Sequence, residues 1–456
     1  MKRPLLFALT IATVSGRTQA QPTPERRWSL SEAAELPAWL RAGAQQRTRL
    51  LSFLDSPRPG SPASMRALEL RSQLQLEVRR SSLIAGLEVM DSRAFTTRGA
   101  PVNNTISNAL DVLQGYVGLR GEDLLVRGDQ WQVQVGRMTL DLGNRRLVAR
   151  NDFRNTINAF TGVHGLWTGP GGALRLRLFG FLPVIRRPSD AASLEDNEIE
   201  RDRETFDQMF GGLVVETRTF SAQDRAEWYL LALRERDGTD APTSDRRLLT
   251  PGARLLRRSR PGQPDYQVEV ALQGGQSRAS NRADDRQDLE HRAFFVHGSV
   301  GQNLRWPVRV SLHYDHASGD QGSKDGKNQR FDTLFGARRF DLGPTSFYGL
   351  LARSNLRSPG LRVEAWSGLS WDAMLMGRLA WLDQPQDGWV GVGLRDTSAA
   401  SSFLGRQLEG RFRWHPLPGR LTLDTGLAVL QRGAFGAQGR PTEPVWFFYT
   451  QSQLTL

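Results

Sequence analysis

Apolar and polar residues alternate with a period of two along much of this sequence, in runs of about ten residues, and no other feature constrains the fold as strongly. In one such run Leu68, Leu70, Leu74, Leu76 and Val78 share a face, with Glu69, Arg71, Gln73, Gln75, Glu77 and Arg79 on the other. Leu174, Leu176 and Leu178 oppose Arg175 and Arg177. Val268, Val270 and Leu272 oppose Gln267, Glu269 and Gln273. Trp306, Val308, Val310, Leu312 and Tyr314 oppose Arg309, Ser311, His313 and Asp315. Leu408, Phe412 and Trp414 oppose Gln407, Glu409, Arg411 and Arg413.

A soluble β-sandwich alternates too, but its strands average about 5–6 residues and its apolar face is a packed core. A transmembrane barrel needs strands of about 9–11 residues, apolar toward lipid and polar toward the lumen. The runs here have the longer length, and their polar faces carry full charges. Tyr116, Trp131, Trp167, Trp228, Tyr266, Trp306, Trp389, Trp414 and Trp446 lie near run ends, as interfacial aromatic girdles require. The expected fold is all-β, a transmembrane antiparallel barrel of about 18 strands at about 24 residues per strand and connection, in a bacterial outer membrane.

The N-terminus agrees. Residues 1–20 read as a secretory signal peptide: Lys2 and Arg3, then the apolar stretch Leu5–Val14, then Thr18-Gln19-Ala20 before a cut ahead of Gln21. Residues 21–40 are expected to form a periplasmic lead-in with a short helix near Ser31–Glu35, and residues 41–456 the barrel. The long charged stretches 183–207, 278–292 and 315–330 are expected in loops or a lumen plug. Gly121-Glu122-Asp123 and Pro418-Gly419 are expected in periplasmic turns.

The chain has no cysteine, which excludes disulfides, thiolate metal sites and cysteine nucleophiles. Its formal net charge is +12, yet only Lys2, Lys324 and Lys327 of the 60 basic residues are lysines. Arginine spread evenly over an exported chain does not point to nucleic acid.

Two blocks resemble the alginate export family of outer-membrane barrels. One is HYDHASGDQGSKDGKNQRFDTLFGARRFDLGPTSFYGLLARSNLRSPGLRVE, residues 313–364, and the other is VGRMTLDLGNRRLVARNDFRNTINAFTGV, residues 135–163. Asp91-Ser92-Arg93, placed ahead of the third strand, adds weaker support. The resemblance implies an 18-stranded barrel and, in its best-known member, export of an anionic polyuronate through an Arg-rich pore, with periplasmic export-complex proteins as partners. One departure is the C-terminal Leu456, where such barrels usually end in an aromatic residue.

No nucleophile elbow or phosphate loop is present, so no enzyme activity is expected. His313 and His316 would point to opposite faces of a strand and are read as solvated residues, not metal ligands. Asp320–Asp332 lacks the ligand order of a calcium loop. No cofactor or metal is expected. Arginine remains. Because Arg on the lipid face costs about 2–4 kcal/mol at the midplane, strand arginines must face the lumen. Arg71, Arg79, Arg175, Arg177, Arg309, Arg362, Arg411 and Arg413 have that parity and are the candidate substrate path, since a guanidinium matches a carboxylate bidentately. In the competing reading they pair with Glu69, Glu77, Glu269, Glu364 and Glu409 and stabilise the wall. The leading expectation is a passive conduit for an alginate-like anionic polysaccharide. The alternative is a general porin for small anions. Partners are that solute and outer-membrane lipid.

Overall fold

The computed structural model describes residues 30–97, 100, 102–219, 221, 223–237, 242–304, 307–322, 325–396, 401–435 and 443–456. The expected signal peptide and Trp306 lie outside the described residues. After a short helix, α1 (Leu30–Ala33), the chain forms β1 (Leu40–Leu54), β2 (Ser64–Arg80), β3 (Leu83–Thr96), β4 (Asn108–Glu122), β5 (Gln130–Met138), β6 (Phe160–Thr168), β7 (Leu174–Pro183), β8 (Gln208–Arg218) and β9 (Asp224–Glu235). It continues through β10 (Arg247–Arg257), β11 (Pro264–Ser277), β12 (Leu289–Asn303), β13 (Val308–Ala317), the two-residue β14 (Lys327–Asn328), β15 (Leu356–Ser367), β16 (Trp371–Trp381), β17 (Phe403–Leu417), β18 (Leu421–Arg432) and β19 (Val445–Thr455). Apart from β14, each strand pairs antiparallel with its neighbours, β13 pairs directly with β15, and β19 pairs with β1. The result is a closed 18-stranded barrel, which leaves no backbone edge exposed to lipid.

The alternation decides which face is which. In β2, Leu74 and Leu76 are exposed while Glu69, Arg71 and Glu77 are buried. Val117, Leu178, Val300, Leu312 and Leu408 likewise look outward, at the 50–65% exposure of a lipid-facing wall. The start of β1 and the end of β19 lie with the tight turns, such as 81–82 and 418–420, so that end is periplasmic. The opposite end carries the long connections 139–159, 184–207, 318–355 and 382–402. The second of these holds the small helix α2 (Ala191–Glu195).

Several expectations shift. Strand β12 begins at Leu289 and β13 runs to Ala317, so the two later charged stretches are partly wall. Asp91-Ser92-Arg93 lies within β3, not ahead of it. Two aromatics do not belong to a girdle. Tyr116 sits in mid-strand and packs inside the barrel, and the buried Trp389 donates its indole N–H to Leu350 O from the 382–402 loop. Alternation cannot register either, because loops and inward faces also use aromatics.

Candidate functional site

The bore is not empty. Two long-loop segments, 139–159 and 329–355, fold into it, and they coincide with the two blocks that carry the family resemblance. They run side by side: Ala149 N donates to Phe335 O (3.1 Å), Phe335 N to Leu147 O (2.9 Å) and Ala337 N to Arg145 O (2.8 Å). A Cβ at Gly336 would overlap the carbonyl oxygen of Arg146, so this approach requires glycine.

Both segments cross the same diameter. Strands β2 and β11 are nine steps apart either way round the barrel, hence opposite. On the β11 side, Arg146 pairs with Glu269 (2.6 Å), and Gln273 accepts from the Asp332 amide (2.8 Å). On the β2 side, Asn155 donates to Leu70 O and Arg93 O, and Ser346 donates to Glu69 (2.9 Å). From Arg146 to Asn155 an extended chain reaches about 30 Å, enough to span. The pair forms a bridge across the lumen.

Charge fixes the bridge at its β11 end. Arg146 also binds Asp341 (2.9 Å), and Arg353 binds the same carboxylate. Asp341 lies deep inside; burial raises its proton affinity, but Arg146 and Arg353 outweigh that and hold it well below the usual carboxylate range. Asp315 pairs with His297 (2.7 Å) and Arg378 (3.0 Å). His297, Asp315 and Asp341 bring ligand atoms within 4.8 Å of one another, as a metal centre would. Three carboxylates (Glu269, Asp315, Asp341) already face three guanidiniums (Arg146, Arg353, Arg378), so the cluster is balanced as it stands. Apolar packing fills the space on either side. Leu147, Val148 and Phe331 join Phe160, Phe210 and Phe295 of the wall, and Phe347, Tyr348 and Leu350 join Phe53 and Phe447.

At the β2 end the balance fails. Four half-buried arginines from four connections gather there: Arg58, Arg154, Arg186 and Arg338. None has a carboxylate within ion-pair distance among the described residues. Arg58 donates to Phe347 O and Tyr348 O, Arg338 to Gly349 O (3.2 Å), and Arg186 to Asn104 O and Asn158. Arg58 Nη2 and Arg338 Nη1 each lie 3.7 Å from where a Cβ of Gly349 would sit. Burial, then Arg186 and Arg338, lower the proton affinity of Arg154 to about 9. Burial, then Arg353 and Arg58, bring Arg338 to about 10. All stay cationic at neutral pH, and the crowding means that an anion entering here would relieve repulsion.

The eight strand arginines do not converge on this point. They sit on β2, β7, β13, β15 and β17, around the circumference, each on the face opposite the exposed apolar residues. Arg79 pairs with Glu77, Arg175 loosely with Glu216 (3.5 Å), and Arg309 with Asp265 and Glu364. Arg411 and Arg413 both reach Asp372 (3.5 and 2.8 Å), not Glu409, which binds Arg339 of the bridge. Arg71 donates to Asp152 O and Arg154 O, and Arg362 to Phe340 O, so both hold the bridge. Arg177 has no ion-pair partner within 4 Å among the described residues. His313 is buried against Ser311 and His316 binds Asp383 (2.9 Å), so neither is the solvated residue expected, though they do face opposite ways. The loop arginines escaped sequence reasoning because they lie outside any alternating run; their visible trace is the density of arginine in RRLVARNDFR and GARR.

A family model described as Alginate export matches residues 38–444. No curated relative matches the sequence. Among solved structures, a BenF-like porin from Pseudomonas fluorescens Pf-5 superposes with a TM-score of 0.59 at 12% identity, covering 91% of this chain and 98% of that one. OpdK of Pseudomonas aeruginosa, solved with vanillate, gives 0.55 at 14% identity, covering 91% and 98%. OccK2 (OpdF) of Pseudomonas aeruginosa, in complex with glucuronate, gives 0.55 at 12% identity, covering 91% and 95%.

Proposed function

The chain belongs to the alginate export family, and from that premise and the geometry of its bore we propose that this outer-membrane channel conducts small carboxylates of about sugar-acid size. The observation that carries the reading is the bridge from β11 to β2, which ends in four guanidiniums that have no carboxylate within ion-pair distance among the described residues. A bridge across the bore favours compact solutes over a continuous polymer. A guanidinium cluster favours carboxylates, since each fork offers two parallel N–H donors to the two oxygens. The ion-paired strand arginines Arg79, Arg175, Arg309, Arg411 and Arg413 would supply weaker sites along the wall. The glucuronate and vanillate held by two porins of the same fold are carboxylates of that size. No step of bond making is involved; the barrel lowers a barrier and does no chemistry.

Polyuronate export is the second reading. The description of the family favours it, and it requires the bridge to leave the bore. Liposome swelling separates the two. With the protein in vesicles, sodium glucuronate should enter severalfold faster than glucose, and uronate oligomers of several residues should hardly enter. Glucose entering as fast as glucuronate would overturn the carboxylate reading; oligomers entering at the monomer's rate would favour the polymer.

A further inference from the structure

The turn between β4 and β5 presents Leu124, Leu125 and Val126 in succession, 56%, 68% and 49% exposed. Three adjacent exposed apolar side chains are uncommon on a turn facing water. Their exposure matches that of the lipid-facing residues directly above, Val117 (61%), Leu119 (52%) and Val135 (51%).

The turn is built and not merely tolerated. Asp129, itself fully buried, accepts hydrogen bonds from the amides of Leu124 (2.8 Å), Leu125 (2.8 Å) and Val126 (3.0 Å). A fourth bond comes from the indole N–H of Trp167 (2.8 Å). Gly121, Trp131 and Trp167 stand side by side on three neighbouring strands, two residues along from Leu119 and Val133, and therefore on the same outer face. The parity of Asp129 places its carboxylate on that face too. It thus ties the turn to Trp167 on that outer face. Arg127, exposed at the tip, stands beside the three apolar residues.

Apolar residues therefore extend from the lipid-facing wall through Trp131 and Trp167 to the Leu124–Val126 tip, with the Asp129 carboxylate buried between Trp167 and the turn. We propose that this tip is a lipid anchor, inserted among the headgroups and upper acyl chains of the periplasmic leaflet, with Arg127 reaching phosphate. The chemistry is that of interfacial segments: apolar side chains and aromatic rings below, a basic group at the surface. Asp129 is the positioning residue, because without it three amides lose their acceptor and the tip is free to turn into the periplasm.

The absence of native cysteine makes the test clean. The purified barrel carrying Leu125→Cys, labelled with an environment-sensitive nitrobenzoxadiazole dye, is reconstituted alone into phosphatidylethanolamine/phosphatidylglycerol vesicles. Ser82→Cys, in the tight turn between β2 and β3, is labelled as the aqueous reference. Lipids brominated near the headgroup should quench the Leu125→Cys label severalfold more than the Ser82→Cys label. Iodide, present on both sides, should do the reverse. Adding Asp129→Ala to Leu125→Cys should shift the label toward the aqueous reference. Iodide quenching of both labels alike would overturn the proposal, as would protection of the Leu125→Cys label from both quenchers, which would mean that protein covers the tip.

Discussion

Replacing Arg146 with alanine is expected to enlarge the single-channel conductance and make it noisy. Arg146 ties the first bridge segment both to the wall at Glu269 and to the second segment at Asp341. Its side chain is 1% exposed, and those of its partners are 5% and 4% exposed. Removing one member of a buried ion pair costs about 3–5 kcal/mol, because the partner charge is left without compensation. A loss of that size lowers the ratio of docked to undocked bridge by about 100–1,000-fold or more. Glu269→Gln should act in the same direction with a smaller effect, since it leaves Arg146 bound to Asp341. Planar-bilayer recordings check both. A channel with wild-type conductance in Arg146→Ala would mean that the bridge is held by its apolar packing and not by charge.

Neutralising Arg154 and Arg338 together is expected to remove most of the anion preference while leaving the barrel folded. Among the described residues neither guanidinium has a carboxylate within ion-pair distance, so the substitutions orphan no acid there. Each lost charged hydrogen bond to a passing carboxylate is worth about 1.5–3 kcal/mol, which corresponds to at least a tenfold drop in the anion-to-cation permeability ratio for the pair. The double change Arg411→Ala with Arg413→Ala should behave in the opposite manner. Both arginines share Asp372, so their removal takes two guanidiniums from that wall acid and leaves it with His415 (3.1 Å). The expected result is a lower unfolding temperature and a smaller change in selectivity. Reversal potentials under a salt gradient, beside thermal melts of the two double variants, distinguish the cases. Raised ionic strength should shrink the selectivity difference, because screening acts within about 10 Å at 0.1 M salt.

The wall was legible in the sequence and its contents were not, for a physical reason. A strand in a barrel wall repeats a local rule at every second residue, so Leu408, Phe412 and Trp414 against Gln407, Glu409, Arg411 and Arg413 declare their faces without knowledge of their neighbours. The bridge obeys no local rule. Arg146 finds Glu269, and Arg339 finds Glu409, across long stretches of sequence and the width of the lumen. Parity assigned the strand arginines to the inner face but carried no information on their partners. Arg71 looks like Arg177 in sequence, yet one donates to the carbonyls of Asp152 and Arg154 while the other has no ion-pair partner within 4 Å among the described residues. The family blocks marked the right segments because a bridge that packs against both walls tolerates few substitutions, and Gly336 against Arg146 O is one such point.

In the proposed function, guanidinium charge in excess of its acidic partners governs what crosses this barrel. The reversal potential of the wild-type channel between unequal concentrations of sodium glucuronate tests it most directly. The expected potential has the sign that reports glucuronate as the more permeant ion, and it moves toward zero in Arg154→Ala/Arg338→Ala. A potential showing sodium to be the more permeant ion in the wild type would contradict it.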